Sequence, residues 1–519
     1  MKKLLYIIAI ALFFFLVLAP LLSIFIGSFI KNGHFSIENY ARIFTGKTLN
    51  LLLFSILLAA TVSLASTTIG GLIAFFVVKT DVTFRNSFKF LLLIPLFLSP
   101  YIIAVSWVDF FVLLGVGTDF IYSPAGVVFV LSFIFAPLSM LVISSGLTNI
   151  SSGLEEAGLM MTSRFKTILK IILPLIKPSI ITSLILVFVL SISEFSVPAF
   201  LSVNVFVTEI FVQFSAFYRH EAAVANSLVL ISMCVFLLML EKFYLADAPF
   251  LTVSSKAQRI KITELNRCKI PVEFFLAGYL TISVIIPIVV LIIQAFQTGA
   301  AALGKALKLL APTIAGSIFY AGVGALLLVL FGFVFAWMTE REKIRPINTI
   351  LLFVFGVPST VLGIALIKFF NTPVLSGIYT SFGIIIFGYL GRFIFIVEKL
   401  IANALKQIPD SFDESAQMMG AGFFVRLRKI LLPLVLPALF GAFVIGFLLC
   451  LAELGTTILV YPPGVSVMPI KVYTIMANAP QGLTSAMSLV VLMITFAGLA
   501  LLFVGYRFLN GWTKKRCSF

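Results

Sequence analysis

Apolar runs of roughly 18 to 26 residues recur along the chain, separated by short stretches that hold most of its charge. Each run can cross a hydrocarbon core of about 30 Å as a helix, and none shows the short alternation of a membrane β-barrel strand. Lipid offers no partner to an open backbone amide, so the spans must be helices. The pattern predicts twelve, at roughly 4–29, 50–78, 90–115, 124–148, 179–201, 226–246, 272–296, 313–338, 348–370, 378–400, 437–460 and 484–508. The N-terminal run follows a charged, signal-like start but is too long for a cleaved leader, so it is read as the first span.

Composition agrees with the pattern. Of 519 residues 61% are hydrophobic and 11% charged, and the mean hydropathy is +1.18, outside the range of a chain that must cover its surface with polar groups. An even number of spans puts both termini on one side. Most Lys and Arg fall on that side, in stretches such as 256–269 and 514–516, which predicts that both termini are cytoplasmic. The formal charge of +16 is thus a matter of topology and needs no nucleic-acid partner.

Sliding the chain against itself by 259 residues superposes Ser152 on Ser411, Glu155 on Glu414 and Pro174 on Pro433. The chain therefore reads as two tandem six-span domains, 1–250 and 272–519, joined by a basic linker at 251–271. Because six is even, the halves share one orientation and face each other across a pseudo-two-fold axis along the membrane normal.

The same shift pairs Glu194 with Glu453, each inside the fifth span of its half, and Asp109 with Lys368 near the outer end of the third. A carboxylate within a span costs about 2.5 to 3.5 kcal/mol, so both glutamates are expected to face protein or a water-filled path. They either line and gate a translocation path or anchor helices by accepting bonds from neighbours such as Ser193 and Thr456. Asp109 and Lys368 either bridge the axis as an ion pair or snorkel separately to the outer interface, the preferred reading.

Between the fourth and fifth spans of each half lies a charged, amphipathic loop, at 151–178 and 410–437. Each opens with Ser-x-x-Glu, Ser152 to Glu155 and Ser411 to Glu414, the pattern of a capping box at a helix start. In the second copy Gly420 can turn the chain into a second, basic, amphipathic helix that leads to Pro433. Two such knobs at matching positions suggest a docking pair rather than interfacial connectors.

These residues resemble the "EAA---G---------I-LP" loop of membrane subunits of ABC importers. The second copy reads Glu414-Ser415-Ala416, Gly420, Ile430, Leu432 and Pro433; the first reads Glu155-Glu156-Ala157, Ile171, Leu173 and Pro174, with Met161 where the other has Gly420. The segment 453–476, "ELGTTILVYPPGVSVMPIKVYTIM", is similar to the Glu-Leu-Pro-Ala-Thr…Pro-Pro-Gly segment of ferric iron permeases, with Gly455 and Thr456 replacing the proline and alanine. The resemblance implies an all-α, fused type I permease in a bacterial inner membrane, served by a homodimeric ATPase that grips both loops and by an external substrate-binding protein. Its cargo would be ferric iron, or on the same scaffold thiamine, putrescine or an aminophosphonate. ATP and magnesium would then sit on the partner, and this chain would bind no cofactor of its own and be no enzyme. The rival of another class is a proton-coupled secondary transporter in which Glu194 and Glu453 carry protons.

Little else in the chain suggests chemistry. The fragment "TGKT" at 45–48 has Ala41 where a phosphate loop needs glycine, and it falls in an external loop. His34 and His220 have no second ligand at metal-binding spacing, no arrangement suggests a catalytic residue, and the four cysteines read as packing or loop residues.

Overall fold

In a computed structural model, residues 2–31, 34–35, 46–244, 262, 264–297, 301–476 and 478–517 are described. Most of the linker, including the greater part of its basic stretch, and Ala41 and Thr45 of the phosphate-loop-like fragment lie outside them. The fold is all-α; a two-residue antiparallel pairing of Ile30 with Phe35 and Lys31 with His34 is the only ladder among the described residues.

Among the described residues nine helices are long and apolar enough to cross a membrane, and two bent helix pairs raise the number to eleven. The remaining expected span, 378–400, is the helix Gly383–Lys406. It occupies the position that Pro124–Thr148 holds in the first half, but Arg392, Glu398 and Lys399 interrupt its apolar run.

The third spans are not continuous. Ser87–Phe97 and Pro100–Leu113 meet at 94°, and Arg345–Phe355 and Ser359–Phe370 at 100°. Proline explains both breaks. Pro100 opens one second segment and Pro358 caps the other, and the residue before a proline is driven out of the α region.

Proline acts differently at four other points. Phe14–Leu18, Thr281–Ile285, Ile168–Ile172 and Leu427–Leu431 are single π-turns, and each is followed two positions on by Pro20, Pro287, Pro174 or Pro433. A proline leaves the carbonyl four residues back without its amide and crowds it, and one wider turn relieves the clash while the helix continues. The basic helix after each loop is therefore not separate from the membrane, as the sequence suggests, but runs on into the fifth span as Arg164–Ile192 or Phe423–Ala452.

Within each half the second span packs on the fourth and fifth. The first spans cross over: Lys2–Gly27 packs on Ser359–Phe370 of the second half, and Lys269–Gln297 packs on Pro100–Leu113 of the first. This exchange interlocks the halves around a shared core. The second and fourth spans of the first half touch at Gly70, where a Cβ would strike the Ala136 carbonyl and come within 2.8 Å of the Met140 nitrogen. Small residues permit such backbone approach in lipid. Gly70→Leu is expected to destabilise the chain by about 1 to 3 kcal/mol; an unchanged thermal unfolding midpoint in detergent would refute the close contact.

Candidate functional site

Both fifth-span helices end just short of their glutamates. Arg164–Ile192 stops before Glu194 and Phe423–Ala452 before Glu453, and short helices resume at Ser196 and Thr457. The glutamates thus sit at breaks, not inside continuous helix. The carboxylates serve those breaks: the Ser196 amide donates to Glu194 Oε1 at 2.9 Å, joined by the Ser196 hydroxyl, and the Thr456 amide donates to Glu453 Oε1 at 2.7 Å. Open amides at a helix start are natural partners for a negative charge.

The breaks of the third and fifth spans converge. Ser99 Oγ donates across the halves to the Ala452 carbonyl at 3.2 Å, and Thr456 Oγ1 donates to the Ser359 carbonyl at 3.0 Å. Here a cavity of about 280 Å³ lies between the halves. Its walls are mostly leucine, isoleucine and phenylalanine, and its charged lining is Glu194, Glu453, Arg392 and Lys399. The anchoring role and the cavity-lining position therefore coexist in the same two glutamates.

Arg392 and Lys399 are not legible from the internal repeat, because the shift of 259 places the uncharged Phe133 and Met140 opposite them. The available signal was the interrupted apolar run of the tenth span. Lys399 is already engaged, with Asn348 Oδ1 at 2.6 Å and Glu398 at 3.4 Å.

Asp109 and Lys368 do not come together as an ion pair among the described residues. Asp109 is 3% exposed and accepts a bond from Ser485 Oγ, in the sixth span of the second half, at 2.5 Å. Its short side chain does not snorkel, because that hydroxyl satisfies it in place. Lys368 is exposed at the outer end, with its ammonium against Gly27 of the first span.

The two repeated loops form helices, Ser152–Met161 and Asp410–Met418, but neither has the predicted capping box. The helices start at or before the serines, behind Ser151 and Pro409 as caps, so Ser152 and Ser411 are already inside the first turn and make no side-chain cap. The leading glutamates then diverge. Glu155 is 4% exposed and pairs with Lys79, itself 2% exposed at the end of the second span, whereas Glu414 is exposed. The position equivalent to Lys79 is Met338, which cannot draw Glu414 inward. The second loop is held instead by Asp413 with Arg426 at 2.8 Å and by Asp410 with Arg341.

The turns after these helices also differ. Gly420 adopts φ +81° and donates its amide to the Gln417 carbonyl at 2.9 Å; the first helix simply ends at Thr162 in extended backbone. Glu156 and Ala157 are exposed, as is Ser415, while Ala416 is buried at 4%. Each loop presents large apolar groups to solvent: Met160, Met161 and Phe165 on one, Met418, Met419 and Phe412 on the other. Exposed methionine and phenylalanine clustered on a short helix are a common means of docking another protein.

Two interlocked six-span halves around a charged internal cavity define an integral membrane transport protein. The chain belongs to the family described as binding-protein-dependent transport system inner membrane component, which matches residues 66–244 and 328–515. It is 26% identical over 487 residues to the putative ferric transport system permease protein FbpB 1 of Haemophilus influenzae, covering 86% of this chain and 76% of that one. It is also 26% identical over 475 residues, 84% of this chain and 68% of the relative, to the ferric transport system permease protein FbpB of Actinobacillus pleuropneumoniae. A shorter match, 27% over 156 residues, covers 30% of this chain and 58% of the spermidine/putrescine transport system permease protein PotC of Escherichia coli. The chain is thus a multi-pass permease of the bacterial inner membrane and not itself an enzyme.

Proposed function

We propose that this chain forms the path of an ATP-driven importer whose ATPase is a separate homodimer, and that the cargo is ferric iron delivered by an external binding protein. The observation that carries the reading is mechanical. Each loop helix leads directly into a helix of 29 or 30 residues, roughly 45 Å at 1.5 Å per residue, whose far end stops at a cavity glutamate. Displacing a loop on the cytoplasmic side therefore moves Glu194 or Glu453 through one continuous helix. Closure of an ATPase dimer on Met160, Met161, Met418 and Met419 would drive both levers at once. The N-terminus is taken to lie on the ATPase side, a reading supported by Lys2, which pairs with Glu342 and has its ammonium 5.0 Å from the Phe423 ring beside the second loop.

The ferric assignment draws on the relatives covering most of the chain, and two carboxylates at one cavity suit a cation. Purification in mild detergent followed by mass spectrometry tests the assembly. An ATPase at about two copies per chain and an iron-loaded binding protein are expected; a binding protein loaded with thiamine, polyamine or a phosphonate would reassign the cargo. A chain recovered alone, whose vesicles accumulate solute on a proton gradient without ATP, would overturn the importer reading. Within the complex, Glu453→Gln is expected to reduce iron uptake by more than about tenfold, and unchanged uptake would remove Glu453 from the path.

A further inference from the structure

We propose that Arg392 sets the charge selectivity of the cavity, as an internal counter-cation that shields Glu194 and Glu453 from monovalent ions and yields only to a more highly charged cargo. The inference rests on the reading of the cavity as the path. Arg392 enters from Gly383–Lys406, and the equivalent residue of the first half is Phe133, so the two-fold pattern is broken within the cavity wall. Its Nη1 donates to the Val357 carbonyl at 3.3 Å, which pins the side chain at the break of the third span in the second half.

That bond uses one donor of the five in a guanidinium fork, and the Arg392 side chain makes no other hydrogen bond among the described residues. Each glutamate likewise commits Oε1 to a local amide. Arg392, Glu194 and Glu453 line the same cavity. Lys399, held by Asn348 and Glu398, does not share this freedom.

Coulomb attraction to two carboxylates scales with the charge of the visitor. A potassium ion gains no more than a guanidinium at the same distance, and it must also enter a cavity in which Arg392 offsets one of the two carboxylate charges. A divalent or trivalent ion gains two or three times as much and can outcompete the guanidinium for the carboxylates. A membrane path lined by two unshielded carboxylates would otherwise leak the most abundant cations of the cell.

The test uses the full chain in liposomes loaded with potassium chloride, with potassium efflux as the readout. Wild type and Arg392→Lys are expected to hold potassium, and Arg392→Gln to release it roughly tenfold faster. Arg392→Gln combined with Glu194→Gln and Glu453→Gln is expected to return to the wild-type rate. Efflux that stays fast in the triple variant would mean that Arg392 only plugs or packs the break, and would overturn the proposal. So would wild-type efflux from Arg392→Gln inserted with an unchanged unfolding midpoint. Should the glutamine variant fail to insert, Arg392→Met, which keeps the packing of the stem, is read in the same way. Failure of the path reading shows separately, as a cysteine placed by Glu453→Cys that no thiol reagent reaches from either side, together with undiminished iron uptake in Glu453→Gln.

Discussion

Gly420→Pro is expected to abolish uptake while the assembled transporter continues to hydrolyse ATP. Gly420 sits at φ +81°, and proline is held near −65°, so the turn cannot form as it stands. Proline also lacks the amide that bonds the Gln417 carbonyl, and the neighbouring bond from the Ala421 amide to Ala416 would be lost with the turn. The helix Asp410–Met418 would then point away from the lever it drives, with nothing changed in the spans. Gly420→Ala, which only strains the left-handed backbone by about 1 to 2 kcal/mol, should be much milder. Glu414→Lys reverses an exposed charge whose side chain makes no ion pair or hydrogen bond among the described residues, so it tests docking without disturbing the turn. Uptake and ATP hydrolysis measured together in vesicles decide the matter. Normal transport by both Gly420→Pro and Glu414→Lys would remove the coupling role of this loop.

Lys79→Met should destabilise the chain by about 3 to 5 kcal/mol, because it leaves the Glu155 carboxylate buried with no counter-charge. Removing one partner of a buried pair is far more costly than replacing both. Lys79→Met with Glu155→Gln, which imitates Met338 of the second half and leaves a neutral amide, should therefore recover most of the loss. The readout is the thermal unfolding midpoint of the purified chain in detergent. If the single and double variants unfold at the wild-type temperature, the pair does not tie the first loop to the second span. If the pair does hold, the first loop is latched to its own membrane domain while the second presents Glu414 freely, and the two halves receive the drive through different side chains.

Hydrophobic patterning alone established an all-helical membrane protein of about a dozen segments, because lipid tolerates no other fate for runs of this length. Internal repetition established that Glu194 and Glu453, and Glu155 and Glu414, occupy matching positions, since a shift of the chain on itself is a property of the sequence. What each charge touches was not legible. Lys79 and Glu155 are 76 residues apart, and Asp109 and Ser485 are separated by 376; these partners are chosen by helix packing and by the crossing of the first spans between halves. Arg392 was hidden for the same reason, as a charge without a counterpart that only the closure of two dissimilar walls brings to the glutamates. Proline shows the division most plainly. Proline disfavours a regular helix at Pro100, Pro174, Pro358 and Pro433, but the backbone accommodates it either by a right-angle break or by one π-turn. Neighbouring helices decide which, according to whether they offer partners to the amides and carbonyls that a break would free.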